Sequence, residues 1–408
     1  MASKSSVFYG WVIVVVGGII LFLEWGFQYS YGVFLTDLCD DLNWTKATVS
    51  GAYSLFMFWH STMNLLSGRL NDKYGPRLTL AISIIALSAG YALMSIINAP
   101  WQLYIFYGII IGIGAGFGYL PVVSTVTRWF VARRGMALGI TVVGIGMGTL
   151  VLAPFSQFLI FKFDWRNSYL IIAGIIFIIG FPITRLMKLD PREKRLLPDG
   201  AKQIAEKTYS GLPSQVNFTL QQAIKTKGFW LLFAMYAFLT FTIHMVLVHL
   251  KAYATVVGIS PMSAATILGL VGGASILGRI TIGSVSDRIG RKACLFIACL
   301  SIAVMMLWLV KARQPGQFYL FSAIFGFGYG SNSPLFPAIT ADWFGTKSHG
   351  IIYGTMLLAT GVGGAIGPLL GGYVFDATGS YDMAFIIGAI VSFIAAGCNL
   401  VLKKPSAK

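Results

Sequence analysis

The apolar positions of this chain follow neither strand alternation nor a helical stripe backed by polar residues. They form blocks of about 20 residues that are apolar on every side, the length a helix needs to cross a hydrocarbon core roughly 30 Å thick. Such blocks fall near 8–34, 47–70, 77–97, 101–128, 134–159, 165–186, 226–256, 262–284, 292–310, 317–343, 350–375 and 381–402. Short breaks rich in glycine, proline and charge separate them. The pattern predicts an all-α membrane protein of twelve transmembrane helices. Only one hydrophilic stretch is long, and it carries Asp190, Pro191, Arg192, Glu193, Lys194 and Arg195. It divides the chain into a six-helix bundle over 1–187, a connecting loop over 188–225, and a second six-helix bundle over 226–408. The loop is too short to hold a core of its own.

Composition agrees with lipid as the solvent. Of 408 residues, 56% are hydrophobic and 11% charged, with a mean hydropathy of +0.76. A water-soluble domain of that makeup would expose far more apolar surface than such domains tolerate. The N-terminal residues lead straight into the first helix with no small-residue cleavage site, so no removable leader is expected. Placing the N-terminus inside puts 23 lysines and arginines in cytoplasmic segments and six outside, with Arg279 left within a helix. The positive-inside rule therefore predicts a multi-pass protein of the inner (plasma) membrane with both termini cytoplasmic. The net charge of +16 is accounted for by anionic lipid and requires no nucleic acid. Cys39, Cys294, Cys299 and Cys398 lack metal-site spacing, and ordinary packing is the expectation for them. No nucleophile elbow, phosphate-binding loop or metal cluster is present, so neither an enzyme nor a cofactor is expected.

The halves repeat. At a shift of 215, Gly68-Arg69-Leu70-Asn71-Asp72-Lys73-Tyr74-Gly75-Pro76-Arg77 falls on Gly283-Ser284-Val285-Ser286-Asp287-Arg288-Ile289-Gly290-Arg291-Lys292. Gly112, Gly114 and Gly116 fall on Gly326, Gly328 and Gly330 at a shift of 214, as Trp129-Phe130 falls on Trp343-Phe344. Gly135, Gly139, Gly146 and Gly148 fall on Gly350, Gly354, Gly361 and Gly363. An even number of helices per half makes the repeats parallel, with a binding site expected where they meet near the membrane midplane.

The paired Gly-x-x-x-Asp-[Arg/Lys]-x-Gly loops resemble the signature of the major facilitator superfamily. Within it, Tyr9-Gly10-Trp11 and the run from Arg128 to Gly139, continuing to Gly144 and Gly148, are similar to the two motifs of the monocarboxylate transporters. The likeness is greatest to bacterial members that carry L-lactate with a proton. The resemblance implies the major facilitator fold and a carrier, functional as a monomer, that moves a small monocarboxylate anion such as L-lactate or pyruvate together with a proton. Two positions depart from the animal members: Tyr29 stands where they have a lysine in the first helix, and Ser275 where they have an aspartate before the arginine of the eighth. An anion exchanger of the oxalate/formate type and a solute sensor that does not transport are the alternatives.

Few polar groups lie inside the predicted spans. Arg279 is the one deep cation. Helical side chains lean toward the helix N-terminus, which in this span aims the guanidinium at the midplane. Its planar fork fits a carboxylate, and the opposing reading is that it snorkels to the inner headgroups. Tyr119, Tyr329, Asn332 and Phe336 lie beside the glycine- and proline-rich runs of the fourth and tenth spans. Breaks there would free backbone carbonyls toward a cavity. With Arg279 they form the expected substrate site. Glu24, the one deep carboxylate, and His249 compete as the proton-coupling group; His60 and His244 also lie in or near spans. An ion pair between Glu24 and Arg279 is one possibility. At the inner ends, Asp72 is expected to pair with Arg128, Arg133 or Arg134 as a gate when the carrier faces outward.

Overall fold

The computed structural model describes residues 8–130, 133–194, 196–199, 218–345 and 348–405, less the side chains of Arg134, Ser284, Asp287 and His349. Among the described residues nine helical stretches are both long and apolar enough to cross a membrane. One of them, Gly135–Thr184, bends at Asp164, where φ is 66°, and makes two crossings. Two further helices, Lys46–Tyr74 and Pro315–Phe344, are long enough but more polar. The twelve crossings are α1 (Tyr9–Leu42), α2 (Lys46–Tyr74), α3 (Pro76–Met94), α4 (Pro100–Trp129), α5 (134–163) and α6 (165–184). They continue with α7 (Lys227–Val256), α8 (Pro261–Ile289), α9 (Arg291–Lys311), α10 (Pro315–Phe344), α11 (His349–Thr378) and α12 (Asp382–Val401).

Helix ends agree with the hydropathy pattern within a few residues, except that α1 continues to Leu42, bending at Ser30. The apolar pattern stops earlier because the last turns carry Asp37, Asp40 and Asp41, which project beyond the hydrocarbon. The repeated loops share one backbone device. Gly75 (φ 82°) and Gly290 (φ 92°) turn α2 into α3 and α8 into α9. A side chain is strained at that φ, so glycine at this point of the motif is a requirement of the turn. The connecting segment returns to the two repeats at points one residue apart in the alignment. The Asp199 N–H donates to the Trp129 carbonyl and the Phe218 N–H to the Phe344 carbonyl. Residues 200–217 of the expected loop lie outside the described residues.

Helices four and ten differ from expectation in one respect. α4 is broken, with a turn at Phe117–Gly118 between two helical pieces. α10 runs as one helix through Pro334 and Pro337. Each proline removes one N–H from the ladder, but the flanking bonds hold the helix together because its buried face is packed.

The bundles meet along α2 with α11 and α5 with α8. In the second pair, a Cβ at Gly146 would lie 2.8 Å from the Gly272 carbonyl oxygen, and one at Gly272 would lie 2.9 Å from the Gly146 carbonyl oxygen. Only glycine permits this approach. The contact fades toward the terminal face, the one that carries Phe8 and Pro405. A Cβ at Gly354 would find only Leu65 at 4.0 Å, and at Gly139 or Gly350 nothing within 4 Å.

On the opposite face the bundles are fastened. The Lys251 ammonium of α7 pairs with Asp37 of α1 at 3.2 Å. The Asp376 carboxylate of α11 accepts from the Lys46 and Ala47 N–H groups at 3.0 and 2.7 Å, capping the start of α2 from across the interface. Lys46 Nζ sits 3.1 Å from the Phe375 ring centroid.

Candidate substrate site between the bundles

Arg279 lies ten residues before the end of α8 and is 9% exposed. Its guanidinium donates to the Val142 carbonyl of α5 at 3.4 Å and to the Tyr329 hydroxyl of α10 at 3.2 Å. Tyr329 is midway along its helix, so the side chain points toward the middle of the membrane as the lean of helical side chains requires. Snorkelling to the terminal face is not what it does here. No acid among the described residues is within ion-pair distance of it, and its Nε is buried without a hydrogen-bond partner among them. A charge so placed is costly to bury, and an anion that occupied the fork would offset that cost.

Tyr329 relays the contact across the interface. Its hydroxyl donates to Tyr29 of α1 at 3.0 Å. Tyr29 lies 6.1 Å, ring to ring, from His244 of α7, and His244 Nδ1 is 3.0 Å from the Tyr53 hydroxyl of α2. Arg279, Tyr329, Tyr29, His244 and Tyr53 thus join five helices of both halves, through hydrogen bonds except for the ring contact between Tyr29 and His244. Sequence reasoning had placed Tyr29 only as a departure from a family pattern and gave Tyr53 no role. The clue available was that α2, which carries Tyr53, is more polar than a lipid-facing helix needs to be.

The other expected site residues divide. Tyr119 begins the second piece of α4, with its ring 5.9 Å from Trp25. Asn332, one turn beyond Tyr329, is 4% exposed and both its amide atoms lack partners among the described residues. Phe336 is fully buried and stacks on Tyr236 of α7, centroids 4.0 Å apart and planes at 15°.

Glu24 and Arg279 do not pair. The Glu24 carboxyl points into the N-terminal bundle, packed directly on Gly118 at the break of α4, where even a methyl group would not fit. It is 2% exposed and neither oxygen has a partner among the described residues. His249, on the fastened side, has both ring nitrogens engaged. Nε2 lies 2.8 Å from the Pro368 carbonyl, which can only accept, and Nδ1 lies 3.2 Å from the Tyr381 hydroxyl. At the terminal face Asp72 and Arg128 form an ion pair at 2.6 Å. It joins α2 and α4 of one bundle and forms while the opposite face is fastened. Arg133 is exposed, and the Arg134 side chain lies outside the described residues.

A membrane bundle with twofold internal repetition, fastened at one face and loosened at the other around a central cation, is the build of a carrier. The sequence profile of the Major Facilitator Superfamily matches residues 16–316 and 281–408.

This chain belongs to the major facilitator superfamily.

Among similar superfamily members are monocarboxylate transporter 12 of Mus musculus, 27% identical over 93% of this chain and 86% of that protein, and monocarboxylate transporter 13 of Bos taurus, 24% identical over 97% and 89%. The oxalate:formate antiporter of Oxalobacter formigenes is 26% identical over 94% of this chain and 89% of its own. Among solved structures, a bacterial homologue of the human lysosomal transporter Spinster, in an inward-facing, unoccupied conformation, superposes with a TM-score of 0.75 at 15% identity. Each chain is covered to 98%. Relatives and fold are those of major facilitator transporters rather than enzymes, and the chain is a multi-pass membrane transporter.

Proposed function

We propose that the protein is a proton-coupled symporter of small monocarboxylates such as L-lactate or pyruvate, in the plasma membrane with both termini cytoplasmic. The observation that carries this reading is Arg279: a guanidinium between the bundles with no acid beside it and one nitrogen unsatisfied among the described residues. A carboxylate is the ligand that satisfies a planar two-pronged donor. The Tyr329 and Tyr119 hydroxyls and the Asn332 amide would hold a hydroxyl or keto group next to it. Phe336 would act through Tyr236, giving a short alkyl tail an aromatic wall. Relatives named as monocarboxylate transporters support the same substrate class.

The bundles, 1–187 and 226–408, would rock about this site so that it faces each side in turn. The fastened face would be the outer one. The proton would ride on Glu24, because a carboxyl buried without a partner is far less costly as the neutral acid than as the anion. His249 is the rival. Asp72 and Arg128 would keep the inner end of the first bundle rigid as it moves.

The test is uptake of labelled L-lactate by liposomes containing purified protein. An inward proton gradient should drive lactate above its equilibrium level, and dissipating the gradient should abolish that accumulation. The second reading, strict anion exchange, is favoured by the likeness to the oxalate:formate antiporter. It would show as uptake only into liposomes preloaded with oxalate or formate and indifferent to pH gradient.

A further inference from the structure

Buried polar atoms without partners among the described residues are spread unevenly. The C-terminal bundle has them at Arg279, Asn332 and Asn399, and at Asp382, whose Oδ1 has only an ion pair with Arg313 at 4.0 Å. The N-terminal bundle has them on α1 (Glu24, Trp25, Gln28), α2 (His60, Asn64, Asn71) and α3 (Ser83, Ser88, Tyr91), with more on α4 to α6. Buried polar groups are nearly always satisfied, by water where protein does not serve. Water is the partner such groups call for, and the first bundle has more of them than the second among the described residues.

On α2 four buried polar side chains are ordered, and all but Ser67 have an atom without a hydrogen-bond partner among the described residues. His60, Asn64, Ser67 and Asn71 recur at four, three and four residues, which is one helical face, and are 4%, 8%, 0% and 0% exposed. Two neighbours along the row already touch, the Asn64 amide lying 3.2 Å from His60 Nε2, while the Ser67 hydroxyl donates to the Asn64 backbone carbonyl at 3.0 Å. The row covers about 16 Å along the helix axis at ~1.5 Å per residue. It ends next to Asp72, whose carboxylate is 63% exposed at the terminal face.

Its upper end lies against the same break in α4 that the Glu24 carboxyl packs on. A Cβ at Gly116 would lie 2.9 Å from the His60 carbonyl oxygen, two residues from the Gly118 against which Glu24 packs. Trp25 bridges the same place, 5.3 Å from the His60 ring and 5.9 Å from Tyr119. Other titratable groups near Glu24 are Tyr91 of α3 and Tyr169 of α6, whose rings stack with centroids 6.1 Å apart. The α5 residues that meet α1 here, Gly144, Gly148 and Leu152, carry none.

We propose that protons reach Glu24 from the terminal face through a hydrated path inside the N-terminal bundle, along His60, Asn64, Ser67 and Asn71 of α2, separate from the route that the anion takes between the bundles to Arg279. The proposal rests on Glu24 as the coupling group and adds the path by which it is loaded. Water needs two to four polar partners to stay in a buried site, and the amides supply them. Leucine at Asn64 or Asn71 fills the space with a group that offers none.

The test uses Asn64→Leu, Asn71→Leu and the polar control Asn71→Ser in proteoliposomes. The leucine variants should bind lactate and exchange it between preloaded compartments as the parent does, while pH-driven accumulation slows at least tenfold; Asn71→Ser should keep most of it. A second measurement does not depend on coupling: the rate at which the Glu24 carboxyl stretch shifts in deuterated water, by infrared difference against Glu24→Gln. It should slow in both leucine variants. Leucine variants that exchange lactate normally and show parental accumulation and parental deuteration overturn the path. Leucine variants that lose lactate binding as well also overturn it, since the row would then be structural. Slowed deuteration with parental accumulation would leave the path standing and remove Glu24 from coupling.

Discussion

Arg279 is where the physical cost is concentrated. Removing one partner of a buried, desolvated charge pair costs about 3–5 kcal/mol. Arg279→Gln should therefore weaken lactate binding by roughly a hundredfold or more, measured by calorimetry on folded protein. Arg279→Lys keeps the charge but loses the planar fork, and binding should still fall well below the parent. Lactamide, which has no carboxylate, should compete poorly; parental affinity in Arg279→Gln would remove the site. Glu24 is tested differently, because its loss should uncouple rather than unbind. Glu24→Gln should retain lactate exchange between preloaded liposomes and lose accumulation against a gradient. His249→Gln should accumulate as the parent does, since its ring is held by Pro368 and Tyr381. The opposite pair of results would move the proton to His249.

The helices separate into those that face lipid and those that face the site, and hydropathy alone shows this only in part. Lipid-facing helices gave their ends within a few residues because hydrocarbon imposes both length and composition. The more polar α2 and α10 were placed equally well, but their polarity was the first sign of what they line. The partners of Arg279 were only half accessible to sequence reasoning. Its isolation and its lean follow from position along a helix, whereas the link through Tyr329 to Tyr29 depends on rotation and crossing of three helices. For the same reason the residues alone leave a Glu24–Arg279 pair open, and it is the packing of the carboxyl on Gly118 that excludes it. The crossing of α5 and α8 makes a prediction of its own. With the Gly272 carbonyl 2.8 Å from where a Cβ would sit, Gly146→Leu forces the helices apart at a cost of about 1–3 kcal/mol. The variant should insert and fold with lowered thermal stability and show at least a tenfold loss of transport. Parental transport would mean that this crossing loosens without consequence.

Considered as one body, the molecule is a pair of bundles fastened at one face, and the fastenings set how often that face opens. Asp376 is exposed and acts as a cap on α2, so its loss is worth about 1 kcal/mol. That corresponds to about fivefold in a two-state equilibrium. Spin labels at the exposed positions Asp40 and Val256 should show a larger widely separated population in Asp376→Ala than in the parent. An unchanged distance distribution would make Asp376 a bystander. The twofold repeat, and with it the overall architecture, could be read from the paired glycine loops because those turns admit little but glycine. Which face is closed left no mark in composition, since a carrier that works must be able to close either.

The Asp376 fastening also has a solvent side. Its acceptor oxygens take two backbone N–H groups at the start of α2, and none of these groups can be left bare when the contact parts. Separation must recruit water to a carboxylate and to a helix end at the same moment, so opening this face is a hydration reaction as much as a hinge movement. Osmotic stress from an excluded solute should then favour the fastened form, in proportion to solute concentration, while leaving the affinity of the bound state for its anion unchanged.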